Sequence, residues 1–337
     1  MIDLKTIPDE QLSQTIRIMK AHFIDRGWEV EIPYIGSSHC FITRHDGKKF
    51  HIFSATPPTT SFAAAHLAND KYGTYQALLG SGLPQPETHL LYNSDNTDEI
   101  ELFMDRVKKV VIKPVDGGHG KGITVNVATA EQLQRAIAIA QAEEKSIAAV
   151  LVQAQYQHDA ILDIRILCID NTFTAATWRV PARVYGDGKS TVSELIEAEN
   201  NKENRGRPYY APLSIINIEQ AKEFLGERIN DVPKLNAEVP VLGIANYGAG
   251  GETIDITDEL PGWLKEMAEE AARACEMPVI GVDFMLAHMP TPTSTIESLD
   301  PVIIEVNKCP SFVIHDKPTS GTPRDVVGTY VEYLSTI

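Results

Sequence analysis

The sequence predicts an α+β fold in which antiparallel strand pairs and helices form small units in series. Three observations carry this reading. Residues 110–127, VVIKPVDGGHGKGITVNV, join two β-branched runs through a glycine-rich loop. Residues 161–184 alternate apolar and polar side chains on either side of Asp170-Asn171, as two long strands would. Residues 279–287 and 302–306 are short apolar runs with strand character. The 337 residues are enough for about two domains, or for one domain with subdomains.

The elements follow in order. Residues 7–26 read as an amphipathic helix with Leu12, Ile16, Met19 and Phe23 on one face. Residues 29–35 and 40–53 alternate like strands, with Asp46-Gly47 as a hairpin turn. This is a small leading α+β unit, residues 1–60. Residues 63–79 are helical and residues 80–86 stop the helix. The glycine hairpin follows, then a helix over 130–144 with an Ala/Ile-rich face and a buried strand over 149–155. These make a second unit, residues 61–155. In the remainder, residues 156–337, Gly186-Asp187-Gly188 turns into a helix over 191–200. Residues 200–212 are polar and irregular and can lie over a site. Residues 263–276 and 326–334 are helical, and residues 288–300, rich in Pro, Thr and Ser, read as an exposed insertion.

Composition narrows the function. A net charge of −16 argues against a nucleic-acid partner, because phosphate neutralisation needs a basic face. It leaves room for a nucleotide held by a few local cations and metal ions. The four cysteines, Cys40, Cys168, Cys275 and Cys309, lack metal-ligand or C-x-x-C spacing. Neither a signal peptide nor an apolar run of membrane-spanning length is visible. The expectation is a cytoplasmic protein without a membrane partner.

The loop of Gly117, Gly118, His119, Gly120, Lys121 and Gly122 suits a phosphate lid. Glycines let backbone N–H groups approach oxyanions, and Lys113 and Lys121 add point charges. No Gly-Lys-Ser/Thr opens a helix, so this is not a Walker A loop. An ordinary glycine-rich hairpin would look the same in isolation.

Three oxygen-bearing residues stand where a metal site would want them. Asp283 lies within one apolar strand, and Glu305 and Asn307 lie at the end of the other. Residues i and i+2 of a strand share a face. An inward carboxylate in an apolar strand is costly unless a cation compensates it. Mg²⁺ takes such hard oxygen ligands and shares them with substrate phosphates. The plainer alternative is a pair of solvated or ion-paired strand residues. Asp163 and Arg165 share a strand face, Arg179 lies on the next strand and Arg324 near the C-terminus; arginines there can clamp phosphate or carboxylate. His119 and His315 are weaker candidates. No Ser-His-Asp or Cys-His arrangement is visible.

Seven segments in one order, from about Thr59 onward, then complete a pattern: ANDKYGTYQALLGSGLPQPET, VVIKPVDGGHGKGITVNV, LDIRILCID, WRVPARVYGDGKSTVSELI, NYGAGGETIDITDEL, VIGVDFML and IIEVNKCPSF. Together they resemble the ATP-grasp superfamily of carboxylate–amine ligases, specifically the ATP-grasp portion of cyanophycin synthetases and of bifunctional glutathione-synthesising enzymes. The resemblance implies an ATP-grasp fold, two α+β subdomains gripping ATP. It implies that Lys71 and Lys113 contact nucleotide phosphates and that Gly117–Gly122 is the mobile lid. By the same resemblance Gln153, Gln155 and Tyr156 belong to the hinge that meets adenine, with Asp163 a candidate for the ribose. Asp283, Glu305 and Asn307 would be magnesium ligands, and Arg165 and Asn246 would contact phosphate or acyl phosphate.

The implied cofactors are ATP and Mg²⁺, two ions, with Mn²⁺ as a substitute. The implied activity is amide-bond formation through an acyl phosphate, with amino acid or peptide substrates and a homo-oligomeric state. A small-molecule kinase and a non-catalytic nucleotide-binding protein are the alternatives. The sequence also departs from the family. Gln153 stands where many relatives have glutamate, residues 158–162 lengthen the hinge, and Gly243-Ile244-Ala245 precede Asn246 where relatives often carry arginine. The sequence ends at Ile337 without a Mur-ligase-like or glutamate–cysteine ligase domain, so a freestanding ligase is expected.

Overall fold

A computed structural model describes the chain apart from residues 94–96, 117–120, 144–146, 207–212, 244 and 246. Three antiparallel sheets organise it. The first is four-stranded, in the order Ile2–Asp3, Glu29–Ile32, His39–Thr43, Lys49–Phe53. Its alternation points Val30, Ile32, Cys40, Ile42 and Ile52 inward. The helix Gln14–Asp25 covers that face with Ile16, Met19 and Phe23. This helix is shorter than the apolar spacing predicts, because residues 4–11 fold into two 3₁₀ turns, Leu4–Thr6 and Asp9–Gln11, on either side of Pro8.

The helical stretch predicted over 63–79 is two helices, Phe62–Leu67 and Lys71–Gly80. The break has a local cause. Asp70 leaves the helical conformation and its Oδ1 accepts from the N–H groups of Tyr72 (3.0 Å) and Gly73 (2.8 Å), starting a new helix at Lys71. Both helices pack on the large sheet through Ala64 and Leu78, not on the sheet that follows them in sequence.

The second sheet runs Thr88–Tyr92, Ala149–Ala154, Val110–Pro114, Thr124–Val127. The helices Asp98–Val107 and Ala130–Glu143 bury Phe103, Met104, Leu133 and Ile137 against it. The two strands that flank the glycine loop pair antiparallel as read, with Val110 opposite Val127.

The third sheet is five-stranded: Glu252–Asp255, Thr172–Val180, Leu162–Ile169, Val279–Leu286, Val302–Asn307. Asp170 and Asn171 both take positive φ, 54° and 56°, at the tight turn between Leu162–Ile169 and Thr172–Val180. The two faces of this sheet have different employment. Ile164, Ile166, Cys168, Ile280, Val282 and Phe284 pack under the helix Gly262–Ala274. On the opposite face, Leu167, Ile169 and Val279 join the core of the first sheet, together with Phe312, Tyr330 and Leu334. Further along that same face the side chains become charged, and the site is there.

A smaller cluster over residues 182–249 pairs Arg183–Tyr185 with Glu238–Pro240 beside the helices Val192–Asn200 and Ile218–Leu225. The insertion predicted at 288–300 is tied down at its base: Leu299 is buried and its carbonyl accepts the Ala287 N–H. Among the described residues no helix is long and apolar enough to cross a membrane.

Candidate active site

Strand pairing lines the polar side chains up in rows. Cα register places Asp255 opposite Thr177, Thr177 opposite Arg165, Arg165 opposite Asp283 and Asp283 opposite Glu305, one residue from each of the five strands. The adjacent row carries Arg179 opposite Asp163. The period-two reading that put Asp163 with Arg165, and Glu305 with Asn307, on shared faces is thus realised across the sheet.

Within the rows Arg165, Asp283, Arg179 and Asp163 pair their charges. Arg165 donates through Nε and Nη2 to the two oxygens of Asp283, the second bond being 2.9 Å. Arg179 Nη2 donates to Asp283 Oδ2 at 2.9 Å, and its Nε and Nη2 both reach Asp163 Oδ1. Asp283 is only 2% exposed. Burial pushes its carboxyl pKa up, but the two arginines outweigh burial and hold it below the usual carboxylate range. Asp163 moves the other way: burial wins over Arg179 and raises it. Gly281 makes room for this. A Cβ there would stand 2.9 Å from Arg165 Cδ and 3.1 Å from Pro310 Cβ.

His315 closes the row from above. Its ring is buried, Nδ1 lies 2.8 Å from Thr177 Oγ1, and Nε2 has no partner among the described residues. Burial, with Arg165 and Arg179 nearby, keeps the imidazole neutral, at a pKa of about 3. Arg324 is held at the far end of the row, at Asp255. It grips Asp255 (2.7 Å) and Asp258 (2.7 Å) and is not part of the Arg165–Arg179 cluster.

Beside the rows, a cavity of about 290 Å³ opens between the second and third sheets. Lys113 and Gln153 of the second sheet, Glu305 and Asn307 of the third, and Lys71 at the start of the helix Lys71–Gly80 line it, along with Thr88, Lys308 and Cys309. Lys113 is buried, and burial lowers its ammonium pKa to about 8; Glu305 opposes that shift and Lys71 adds to it. Lys71 begins a helix, where the dipole disfavours a cation. Its position is therefore not explained by helix stability. Gln153 Nε2 donates to Thr88 Oγ1 at 2.8 Å, and Thr88 Oγ1 donates to the Pro86 carbonyl at 2.9 Å. One of the two amide N–H donors is thereby used, and the amide oxygen, with no hydrogen-bond partner among the described residues, is left as an acceptor.

Not every residue singled out in the sequence meets the cavity. Gln155 turns to Asn126, and Tyr156 donates to the Asp300 carbonyl at 2.7 Å. Asp163 and Arg179 belong to the charged rows and do not line the cavity. Lys121 and Gly122 lie past the hairpin apex, Gly122 with φ 72°. Gly117, Gly118, His119, Gly120 and Asn246 lie outside the described residues. Thr88, Thr177, Gly281 and Asp300 were not singled out. Of these only Gly281, a glycine inside an apolar strand, carried a visible signal of close approach.

The donor set fits a hard cation. Glu305 has no hydrogen-bond or ion-pair partner among the described residues. Asn307 Nδ2 donates to Asp283 Oδ2 at 3.4 Å, and its amide oxygen has no partner among the described residues. Both oxygens of Asp283 accept from arginine. No group of three His, Cys, Asp or Glu side chains is gathered among the described residues. A cation here would rest on Glu305, Asn307 and oxygens of the ligand itself.

Lys113 of the second sheet and Lys71 at the start of the helix Lys71–Gly80 share this cleft with Glu305 and Asn307 of the third sheet, the layout of a fold that grips a nucleotide between two α+β subdomains. The chain has the ATP-grasp fold. Residues 84–200 match the family model of the prokaryotic glutathione synthetase ATP-grasp domain. The chain is 33% identical to cyanophycin synthetase of Nostoc sp. over 82% of its length and 30% of that protein. It is 30% identical to the glutathione biosynthesis bifunctional protein GshAB of Listeria welshimeri over 98% of its length and 42% of that protein. The crystal structure of a bifunctional glutathione synthetase from Pasteurella multocida superposes with a TM-score of 0.70 at 22% identity, over 98% of this chain and 44% of that one. The chain thus spans less than half the length of these relatives.

Proposed function

We propose that the protein is an ATP-dependent ligase that joins a carboxylate to an amine, with amino acids or short peptides as substrates and ADP and phosphate as products. The observation that carries this is the cavity shared by Lys71 and Lys113 on one side and Glu305 and Asn307 on the other. The relatives, named for peptide-like products, support the choice of amide-bond formation over plain phosphorylation.

The chemistry follows from the residues. A carboxylate is a poor acyl donor because oxide is a poor leaving group. Moving the γ-phosphoryl group of ATP onto it gives an acyl phosphate, which an amine attacks with loss of phosphate. Lys71 and Lys113 would hold phosphate oxygens as point charges in a site of low polarity, where such contacts count most. Mg²⁺, held by Glu305 and Asn307, would neutralise the polyphosphate; a bidentate Glu305 allows two ions. Asp283 fixes Arg165 and Arg179 in one geometry, so their charge is in place before the acyl phosphate develops negative charge beside it. Gln153, with its amide oxygen as the free end, would accept from an exocyclic amine, as adenine presents. The lid of residues 117–122 would cover the phosphates.

The test is mass spectrometry of the purified protein with Mg²⁺, ATP and pooled amino acids and dipeptides. A new amide mass that appears with ADP, and is absent with Glu305→Ala, is the expected result. AMP as the product, or a stable phosphorylated compound formed without an amine, would overturn it.

A further inference from the structure

Residues 155–161 connect the strand Ala149–Ala154 of the second sheet to Leu162–Ile169 of the third. Side chains of this connector bond to both sheets. On one side Gln155 Oε1 accepts the Asn126 N–H at 2.6 Å, and Gln155 Nε2 donates to Asn126 Oδ1 at 3.0 Å. Asn126 lies on Thr124–Val127, the strand that returns from the glycine loop, and takes a positive φ of 59°. On the other side Tyr156 Oη donates to the Asp300 carbonyl at 2.7 Å, and His158 Nε2 lies 2.8 Å from Asp300 Oδ2. The Tyr156 and His158 rings lean on each other, 4.6 Å between centroids.

Asp300 is a fixed post. Its φ and ψ, 41° and 58°, are left-handed, a conformation that costs a non-glycine residue free energy and persists only where the surroundings impose it. Its N–H donates to Ile296 O at 2.8 Å. The insertion before it is anchored by Trp263 Nε1, which donates to the Ser294 carbonyl at 2.8 Å. Two residues after Asp300 begins Val302–Asn307, the strand of Glu305 and Asn307.

We propose that Asp300 is a positioning residue for the nucleotide cleft: with Tyr156 and His158 it clasps the connector to the strand of Glu305, while Gln155 clasps it to the return strand of the lid. The clasp sets the spacing between the lid-bearing sheet and the strand with the free carboxylate. This inference rests on the nucleotide reading given above. It concerns side-chain contacts of the connector, apart from its contacts to the base.

The experiment is calorimetric titration of the full chain with ADP in Mg²⁺, joined to hydrogen exchange of the ligand-free protein. Tyr156→Phe removes one bond of the clasp. Asp300→Gly removes the other while keeping the left-handed backbone, and Asp300→Asn keeps an acceptor for His158. Each of the first two should weaken Mg·ADP binding by about three- to tenfold, as loss of one hydrogen bond does. Their double variant should weaken it further, and Asp300→Asn should stay within about twofold of wild type. In the double variant, amides of residues 302–307 should exchange faster while those of residues 29–53 hold their wild-type rates. A double variant that binds Mg·ADP like wild type, or that loses protection equally in both places, would overturn the clasp. Wild-type protein that does not bind Mg·ADP would overturn the nucleotide reading, and the clasp with it.

Discussion

At Lys113 burial and charge pull in opposite directions. Its pKa falls from 10.5 to about 8 because burial penalises the ammonium. At about 1.4 kcal/mol per pH unit this is a cost to folding of about 3 kcal/mol at neutral pH. The sign is that of a depressed lysine. The unfolded chain binds the proton more tightly, so the cost is present in full below pH 8 and fades as pH rises toward 10.5. Lys113→Met should therefore raise stability at pH 7, by urea denaturation, and abolish the gain that wild type shows between pH 8 and 10.5. Nucleotide binding should show the converse. Affinity for Mg·ADP should fall as pH rises through 8 in wild type, and titration above that pH should reveal proton uptake. A flat pH profile would remove Lys113 from the phosphates.

Elements set where such residues stand. The helix Lys71–Gly80 exists as a separate element because Asp70 caps it. Asp70→Ala should cost about 1 kcal/mol, measurable by urea denaturation, with Asp70→Ser or Asp70→Asn recovering most of it. It should also raise the Kd for Mg·ADP, since the cap fixes the residue after it. A periodic pattern does not show such a break: residues 63–79 keep apolar spacing straight through it, so the sequence reads as one helix. The sheet residues were more legible. Asp283, Glu305 and Asn307 stand out because polar groups inside apolar runs need a reason, and period two puts them on known faces. What stayed hidden was the partner on the next strand. Register between distant strands is a tertiary fact, so nothing local reveals that Arg165 would take the Asp283 carboxylate or that Gly281 clears its path. The side-chain partners of Gln155 and Tyr156 were hidden for the same reason: they are residues far off in sequence.

For the molecule as a whole, the first and third sheets share one core. Leu167, Ile169 and Val279 of the site-bearing sheet pack with Phe23, Ile42 and Tyr330, so the leading unit is part of the platform under the site. The buried Arg165–Asp283–Arg179 group lies on the same face and links pH to global stability. Its carboxylate contributes stability that is present above the ordinary value of 3.8 and is lost as pH falls through the lower folded value. Asp283→Ala should cost about 3–5 kcal/mol, because two buried guanidinium groups lose their counter-ion. Acid unfolding of wild type should be steepest below pH 4, and Asp283→Asn should blunt that slope, read by circular dichroism against pH.

Cys309 lines the cavity and is half buried, whereas Cys40, Cys168 and Cys275 are buried within cores. The folded chain therefore offers a thiol-reactive dye a single accessible handle, next to the lysines and the free carboxylate. Modification should stop at one equivalent, map to Cys309 by peptide mass, and slow when Mg·ADP fills the cleft. An environment-sensitive fluorophore placed there would turn occupancy into an optical signal, and pools of carboxylates and amines could be screened without knowing the product in advance.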